Sequence, residues 1–389
     1  MVERAVDRVP AHAFDLRSLE RRAVTPFTLL VLAFAGLILY ANAKGNQYGF
    51  DFHGGIWTAG RDLLAGRSPY PPPHADALLV PGNEYVLPPL LAVLAVPFSV
   101  LPFTVAIVLW NVACIAAFVG ALALLGLRDR RAYLIALCSF PFVASLVLGQ
   151  PDGLLALAAA LAWRFRDSWR GALAVGVLIA AKLLAWPLLI WLLATRRFRS
   201  AAVAAGSSVL LVASTWALFG FKGLAAYPRL LAADAHAFQV RSHSVVALAM
   251  RAGAAEQVAR LLMVAVAVGI ALVVLRLSRG SDLGWFTAAL AFGLLSSPLL
   301  WSHYLTLLFV PLAISRKRAD AVWLLTIAFW LSHQEPPAHA WQIGLVLLTI
   351  GAVAVAVARG GGGGRSTRER PAWSSRSVSR LETVHYPPG

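Results

Sequence analysis

Long apolar runs alternate with short polar turns along this chain. The runs recur from Phe27 nearly to Arg359, and many have the roughly 17–25 residues that a helix needs to cross the hydrocarbon of a bilayer. Helices are the expected spans, because lipid leaves backbone groups no partner outside their own segment. The polar turns are of two kinds. Basic clusters stand at "RDRR" (128–131), "RFRDSWR" (164–170), "RRFR" (196–199), "RLSRG" (276–280) and "SRKR" (315–318). The turns "GQPDG" (149–153), "SSPLLWSH" (296–303) and "SHQEPPAH" (332–339) and the loop 221–255 lack such clusters. Basic loops stay on the cytoplasmic side, and Arg21 and Arg22 precede the first run, so both termini should be inside. The pattern predicts an all-α polytopic membrane protein with about twelve spans. Residues 44–87 form its first outer loop and 221–255 a second large one.

Two segments test this scheme. "GALAVGVLIAAKLLAWPLLIWLLAT" is flanked by basic clusters on both sides. It should therefore enter and return, as two short helices meeting near Lys182, with the lysine at an apex reaching the outer face. A single crossing that violates the charge rule is the rival. Region 85–126 has room for two helices where parity asks for an odd number of crossings. A dipping segment plus one span fits, and so does a misplaced "RDRR".

Composition agrees with a membrane protein. Of 389 residues 59% are hydrophobic and 13% charged, against about 25% charged in a soluble domain. A net charge of +16 would suggest nucleic acid in a soluble chain. Here the arginines collect in turns and tails, as loops beside anionic lipid require, and no nucleic-acid partner is expected. Cys114 and Cys138 lie inside apolar runs and read as core residues. Residues 1–24 form a charged cytoplasmic segment, 25–358 the transmembrane domain, and the Gly-, Ser- and Arg-rich 359–389 a disordered cytoplasmic tail. "YANAKG" has the small-x-small pattern of a signal-peptidase site. The long apolar run before it favours an uncleaved anchor.

The chemistry collects in the outer turns. "GFDFHGGIWTAGRDLLAGRSPY" begins directly after the first span. Ile56, Trp57, Ala59, Leu63 and Leu64 recur at roughly helical spacing, which predicts an amphipathic helix lying on the membrane, ended by Gly66 and Pro69. Asp51, at headgroup level, can take a proton from an acceptor hydroxyl. Lys182 is a cation inside an apolar segment, where charge is costly and by default functional. His303 stands at a span entrance. The remaining outer-turn histidines, His53, His74, His236, His243, His333 and His339, read first as polar residues where water is. His236 and His243 lie seven apart in a loop, which is no metal motif.

In order, "DFHGGIWTAGRDLLAGRSPY", "YVLPPL", "LGQPDGLLALAAALAWR", "GVLIAAKLLAWPLLIWLLATRRFR" and "SSPLLWSHYLTLLFVPL" resemble glycosyltransferase family 87. This bacterial group, also called domain of unknown function 2029, includes polyprenyl-phosphate-mannose-dependent alpha-1,2-mannosyltransferases. The resemblance covers about residues 25–355 and implies a GT-C-type helical bundle with its active site at the extracytoplasmic face of the plasma membrane. It implies transfer of a hexose, mannose favoured, from a polyprenyl phosphate to a cell-envelope glycolipid or glycan acceptor, with inversion and without metal or other cofactor. It further implies Asp51 as catalytic base, Lys182, His303 and Arg241 on the donor phosphate, and His53, Gln150, Asp152 and Tyr85 on the sugar or acceptor. In this family a proline is expected soon after the lysine; "KLLAWP" delays it. The alternatives are a transporter or flippase of a sugar-lipid or small solute, with Lys182 as a coupling residue, and a non-catalytic scaffold of an envelope assembly. The sequence lacks a repeat of halves, which weakens the transporter reading.

Overall fold

The computed structural model describes residues 36, 48–72, 78–79, 85–332 and 338–361. The segment 1–24, the first apolar run, all but the start of the tail, and His74, Asp76, Glu84, His333 and Glu335 lie outside the described residues. Among the described residues all regular structure is helical, and the protein is an all-α polytopic membrane protein. A π-helical turn, Phe52–Trp57, runs into α1 (Thr58–Leu64). The short α2 (Pro89–Ser99) precedes the long α3 (Phe103–Leu124), and α4 (Arg130–Leu137) and α5 (Phe140–Leu148) form a bent pair. Next come α6 (Asp152–Arg164), α7 (Trp169–Ala181), α8 (Leu188–Ala194) and α9 (Phe198–Leu218). The loop helices α10 (Tyr227–Phe238) and α11 (Val245–Arg251) lead to α12 (Glu256–Leu277) and α13 (Asp282–Leu295). A tight helix, Ser302–Leu308, opens into α14 (Phe309–Ser315), and α15 (Ala321–Leu325) continues as Thr326–Ser332 before α16 (Ala340–Gly361).

Four of these helices, α3, α9, α12 and α16, are long and apolar enough to cross a bilayer alone, and the bent α4–α5 pair makes a fifth. About twelve full spans are not reached by this measure. The other apolar helices have 10–17 residues, about 15–25 Å of rise, which falls short of the roughly 30 Å hydrocarbon.

The basic turns gather on one face of the bundle. Arg166 and Arg197 both bond the carboxylate of Asp282, and Arg197 also reaches Asp167. That joins the turns 164–170, 196–199 and 279–282. Ala319 N–H donates to Asp129, and Arg316 donates to the Ala356 carbonyl late in α16. That joins 128–131, 315–320 and the α16 end. Ala288, midway along α13, shares one apolar cluster with Ala354 and Ala358 near the end of α16. This is the arrangement that the charge pattern predicts.

The two uncertain segments resolve. Both ends of 169–195 lie at the basic face, so α7 and α8 form a hairpin and not a single crossing. Its break is at Lys182 (φ −151°, ψ 109°), followed by a 3-10 turn, Leu183–Ala185, and by Pro187 ahead of α8. The 11-residue α2 is the expected dip: Ser99 Oγ at its end donates to the Trp57 carbonyl. A helix is present over 52–64 as expected, with Phe52, Ile56, Trp57 and Ala59 packed into the protein core and Leu64 left exposed, and Gly66 (φ +69°) follows its end. Tyrosines brace the end of the first loop, and one of them, Tyr227, ties it to the second. Tyr70, Tyr85 and Tyr227 donate to the carbonyls of Leu87, Pro88 and Val86 at 2.7, 2.7 and 3.0 Å.

Asp282 accepts from Arg166, from both terminal nitrogens of Arg197 and from Trp191 Nε1 at 2.7–2.9 Å. Bonds to charged groups contribute about 1.5–3 kcal/mol each. Asp282→Asn should therefore lower the thermal unfolding midpoint in detergent clearly, and an unchanged midpoint would show that the network is not holding α7, α8 and α13 together.

Candidate active site

The site is built where α3 lets another segment approach closely. The Trp110 indole donates to the Gly149 carbonyl at 2.9 Å and stacks on Phe52 at 5.1 Å. Gly149 has φ +74°, and a Cβ there would stand 2.5 Å from Phe52 Cβ. Only glycine serves at this position, for both backbone and space. Four residues on, a Cβ at Gly153 would lie 2.1 Å from the Cys114 carbonyl oxygen. The start of α6 thus packs directly on the α3 backbone. Cys114 is halfway along α3, about 16 Å from its Phe103 end. The "GQPDG" turn is consequently carried into the interior.

This places Asp152 fully buried at the first turn of α6. Its partner is Lys182, whose Nζ is 3.6 Å from Asp152 Oδ1 and 3.6 Å from the centroid of the Tyr304 ring. The expectation that Lys182 reaches the outer face does not hold, since Lys182 is 5% exposed. The 13 residues of α7 rise only about 20 Å, and the apex is covered by Tyr304 and by α13, where Gly293 meets the Leu184 carbonyl. The delayed proline of "KLLAWP" leaves room for the 3-10 turn that makes this apex.

Asp51 begins the π-helical turn and is partly exposed. Its Oδ2 accepts from Gln150 Nε2 at 2.8 Å. Phe52 packs on Trp110 and lies 6.5 Å from the Phe103 ring, and His53 meets Phe103 at 4.7 Å, so Asp51 stands beside the first turns of α3. Asp51 is close enough to interact electrostatically with both Lys182 and Tyr304. His303, 3% exposed, stands beside Tyr304 with the rings edge to face at 4.7 Å and also feels the Lys182 charge. Asp51, Gln150, Asp152, Lys182 and His303, predicted from separate stretches of sequence, therefore form one neighbourhood.

The other candidates have different surroundings. His53 is exposed and stacks on Trp57 at 5.5 Å beside Phe103. Tyr85 is buried, and its hydroxyl donates to Pro88 and accepts from the Ala92 N–H, so both capacities serve the loop. Arg241 is exposed in the second large loop, 5.8 Å from the Phe238 ring. Sequence reasoning missed Tyr304, Trp110 and Phe52. Tyr304 directly follows His303 in "WSHY", but an aromatic within an apolar run carries no mark that separates a cation-facing ring from core.

The neighbourhood is rich in buried polar atoms that make no hydrogen bond within the described chain: Lys182 Nζ, both Asp152 carboxylate oxygens, Gln150 Oε1, Ser302 Oγ and Thr306 Oγ1. Buried polar atoms are normally satisfied. Such a concentration marks a place suited to a polar ligand. Among the described residues no group of three or more His, Cys, Asp or Glu is placed to hold a metal ion.

Residues 85–311, well over half the chain, match the family model of glycosyltransferase family 87. The chain belongs to glycosyltransferase family 87. It is a membrane glycosyltransferase, and the transporter and scaffold alternatives give way. A curated relative from Mycolicibacterium smegmatis (strain ATCC 700084 / mc(2)155), a polyprenol-phosphate-mannose-dependent alpha-(1-2)-phosphatidylinositol pentamannoside mannosyltransferase, is 24% identical over 325 residues, covering 78% of this chain and 75% of the relative. No solved structure matches the chain.

The buried pair separates packing from function. Removing one partner of such a pair costs about 3–5 kcal/mol, whereas replacing both with apolar residues is often neutral. Asp152→Leu alone should destabilise the protein in detergent, and Asp152→Leu with Lys182→Met should recover the midpoint but transfer no sugar. Recovery of sugar transfer together with stability would make the pair purely structural.

Proposed function

We propose that this glycosyltransferase moves a hexose, with mannose favoured, from a polyprenyl phosphate to a cell-envelope glycolipid or glycan acceptor, inverting the anomeric centre at the extracytoplasmic side of the plasma membrane. The observation that carries this reading is the carboxylate of Asp51, bonded to Gln150, within electrostatic range of a buried lysine whose ammonium makes no hydrogen bond among the described residues. The mycolicibacterial relative's donor supports a lipid-linked sugar phosphate, and the family membership supports the transfer. The sidedness is supported by the basic turns, which gather away from Asp51 and by the charge rule face the cytoplasm.

In this reading Asp51 removes the proton from the acceptor hydroxyl, and the acceptor oxygen forms a bond to the anomeric carbon. The bond from that carbon to the donor phosphate oxygen breaks, and polyprenyl phosphate leaves with the electron pair. A base and a leaving group on opposite sides of the carbon give inversion. Lys182 stabilises the charge that grows on the departing phosphate, and His303 donates to one of its oxygens. A cation held in place by Tyr304 and Asp152 needs little reorganisation as that charge develops. Gln150 fixes the orientation of the Asp51 carboxylate through the bond to Oδ2. The apolar helix surfaces suit the polyprenyl chain.

The test uses membranes that contain the parent chain or Asp51→Asn, labelled polyprenyl-phosphate-mannose and a cell-envelope lipid extract. The parent should label the extract, and the variant, expressed at the same level, should lose on the order of 10²–10⁴-fold in rate. Undiminished transfer by Asp51→Asn would remove Asp51 as the base, and absence of transfer by the parent with mannose but success with another lipid-linked sugar would correct the donor.

A further inference from the structure

At the opposite end of α3 from Asp51 lies a second feature that the transfer reaction does not use. Helix α3 ends at Gly126 (φ +78°), with Gly126 N–H bonding the Ala123 carbonyl and Leu127 N–H the Leu122 carbonyl. This Schellman turn swings the chain outward so that Arg128 and Asp129 face the end of α14. There Gly126, Arg128, Asp129, Lys317 and Arg318 line a cavity of about 610 Å³. The negative members are already occupied. Asp129 accepts from the Arg131 and Ala319 N–H groups, and the Leu125 carbonyl and the Ala313 carbonyl both take the Lys317 ammonium. Arg128 and Arg318 are exposed and carry charge without an acidic partner among the described residues. Two basic runs far apart in sequence thus converge on one recess.

A second observation concerns the same segments. Beyond Arg318 the chain continues as α15 and the tight helix to Ser332, and together with α16 it lines an apolar cleft of about 530 Å³. The cleft is bordered by Leu324, Leu325, Trp330, Leu331, Leu345 and Leu348, among others. Trp330 donates its indole N–H to the Cys138 carbonyl at the end of α4, so the chain after Arg128 and the chain after Arg318 run side by side from recess to cleft. Ala352, on the cleft, is four residues from Ala356, whose carbonyl takes Arg316. That spacing starts the cleft about 6 Å below the basic face. The combination is a cationic recess at a membrane face with an apolar cleft leading down into the bilayer.

We propose that this recess and cleft bind one anionic phospholipid of the leaflet at the basic face, with the phosphate of its headgroup between Arg128 and Arg318 and an acyl chain along the 324–331 cleft. Basic recesses between membrane helices suit such headgroups, and a guanidinium pair matches phosphate oxygens better than ammonium groups do. A free phosphate would satisfy the recess but leave the cleft without a role. The lipid fits both.

The test is native mass spectrometry of the full chain in neutral detergent, titrated with phosphatidylglycerol, phosphatidylcholine or inorganic phosphate. The parent should bind phosphatidylglycerol in preference to phosphatidylcholine. Arg128→Gln with Arg318→Gln should reduce that preference by roughly thirtyfold, at about 1 kcal/mol for each arginine, while Arg128→Lys with Arg318→Lys, which keeps the charge and loses the bidentate geometry, should reduce it by less. Thermal midpoint and sugar transfer should stay at parent level in both variants, which shows that the fold is intact. Equal binding of the two lipids by the parent, an unchanged preference in the glutamine variant, or displacement of phosphatidylglycerol by millimolar inorganic phosphate would each overturn the proposal, the last by making the recess a free-anion site.

Discussion

Burying Lys182 against Asp152 carries a desolvation penalty that the fold must offset, and much of its local irregularity follows from it. A lone ammonium or carboxylate in a low-dielectric interior is penalised by several kcal/mol. The two must be brought together, yet they are carried by different helices whose ends stop short of the bundle surface. Helix α7 breaks at Lys182, where the backbone turns extended, and α6 starts at Asp152. The ring of Tyr304 covers the ammonium at 3.6 Å. The 3.6 Å separation of the two charges is longer than a hydrogen bond, so their mutual attraction only partly offsets the desolvation. A pair held this loosely retains capacity for a third charged group.

The neighbouring glycines make that burial possible. Gly153 lets α6 press on the α3 backbone at mid-length, and Gly149 lets Phe52 close over Trp110. The π-helical turn at Phe52–Trp57 follows directly. Wider turns of this kind often occur at functional sites, and here the turn begins with Asp51 already bonded to Gln150. One packing contact between α3 and the 149–153 turn therefore sets the depth of Asp152, the position of Gln150 and, through Gln150, the orientation of Asp51. The far end of the bundle is organised by charge in the opposite way. Asp282 and Asp129 each gather groups from separate turns at the basic face, where water is near and paired charge is cheap.

Much of this was legible in the sequence because lipid imposes simple rules. Alternating apolar runs and arginine clusters predicted an all-helical membrane protein and grouped its basic turns. The return of 169–195 followed from basic flanks alone, and Gly66 marked the end of the helix over 52–64. What escaped were quantities that hydropathy does not carry. Run lengths do not show which apolar helices cross alone: among the described residues four or five do by length, and the rest are short or broken, as α7 and α8 are. Depth was misjudged for Lys182, because a charged apex was assumed to reach water, and Gly149 and Gly153 read as turn residues and not as close-approach points. Tyr304 was invisible as a cation partner, since its spacing matches that of ordinary core aromatics.

The central claim is that the polar neighbourhood around Lys182 is where the donor phosphate sits, with Asp51 across the sugar from it. The most direct measurement is an electron cryomicroscopy structure of the protein with a non-hydrolysable polyprenyl-phosphonate mannose. The account predicts phosphonate oxygens within hydrogen-bonding distance of Lys182 Nζ and His303, and the anomeric carbon between the phosphonate and Asp51. Phosphonate density elsewhere, with Lys182 still closed on Asp152 beneath Tyr304, would contradict it.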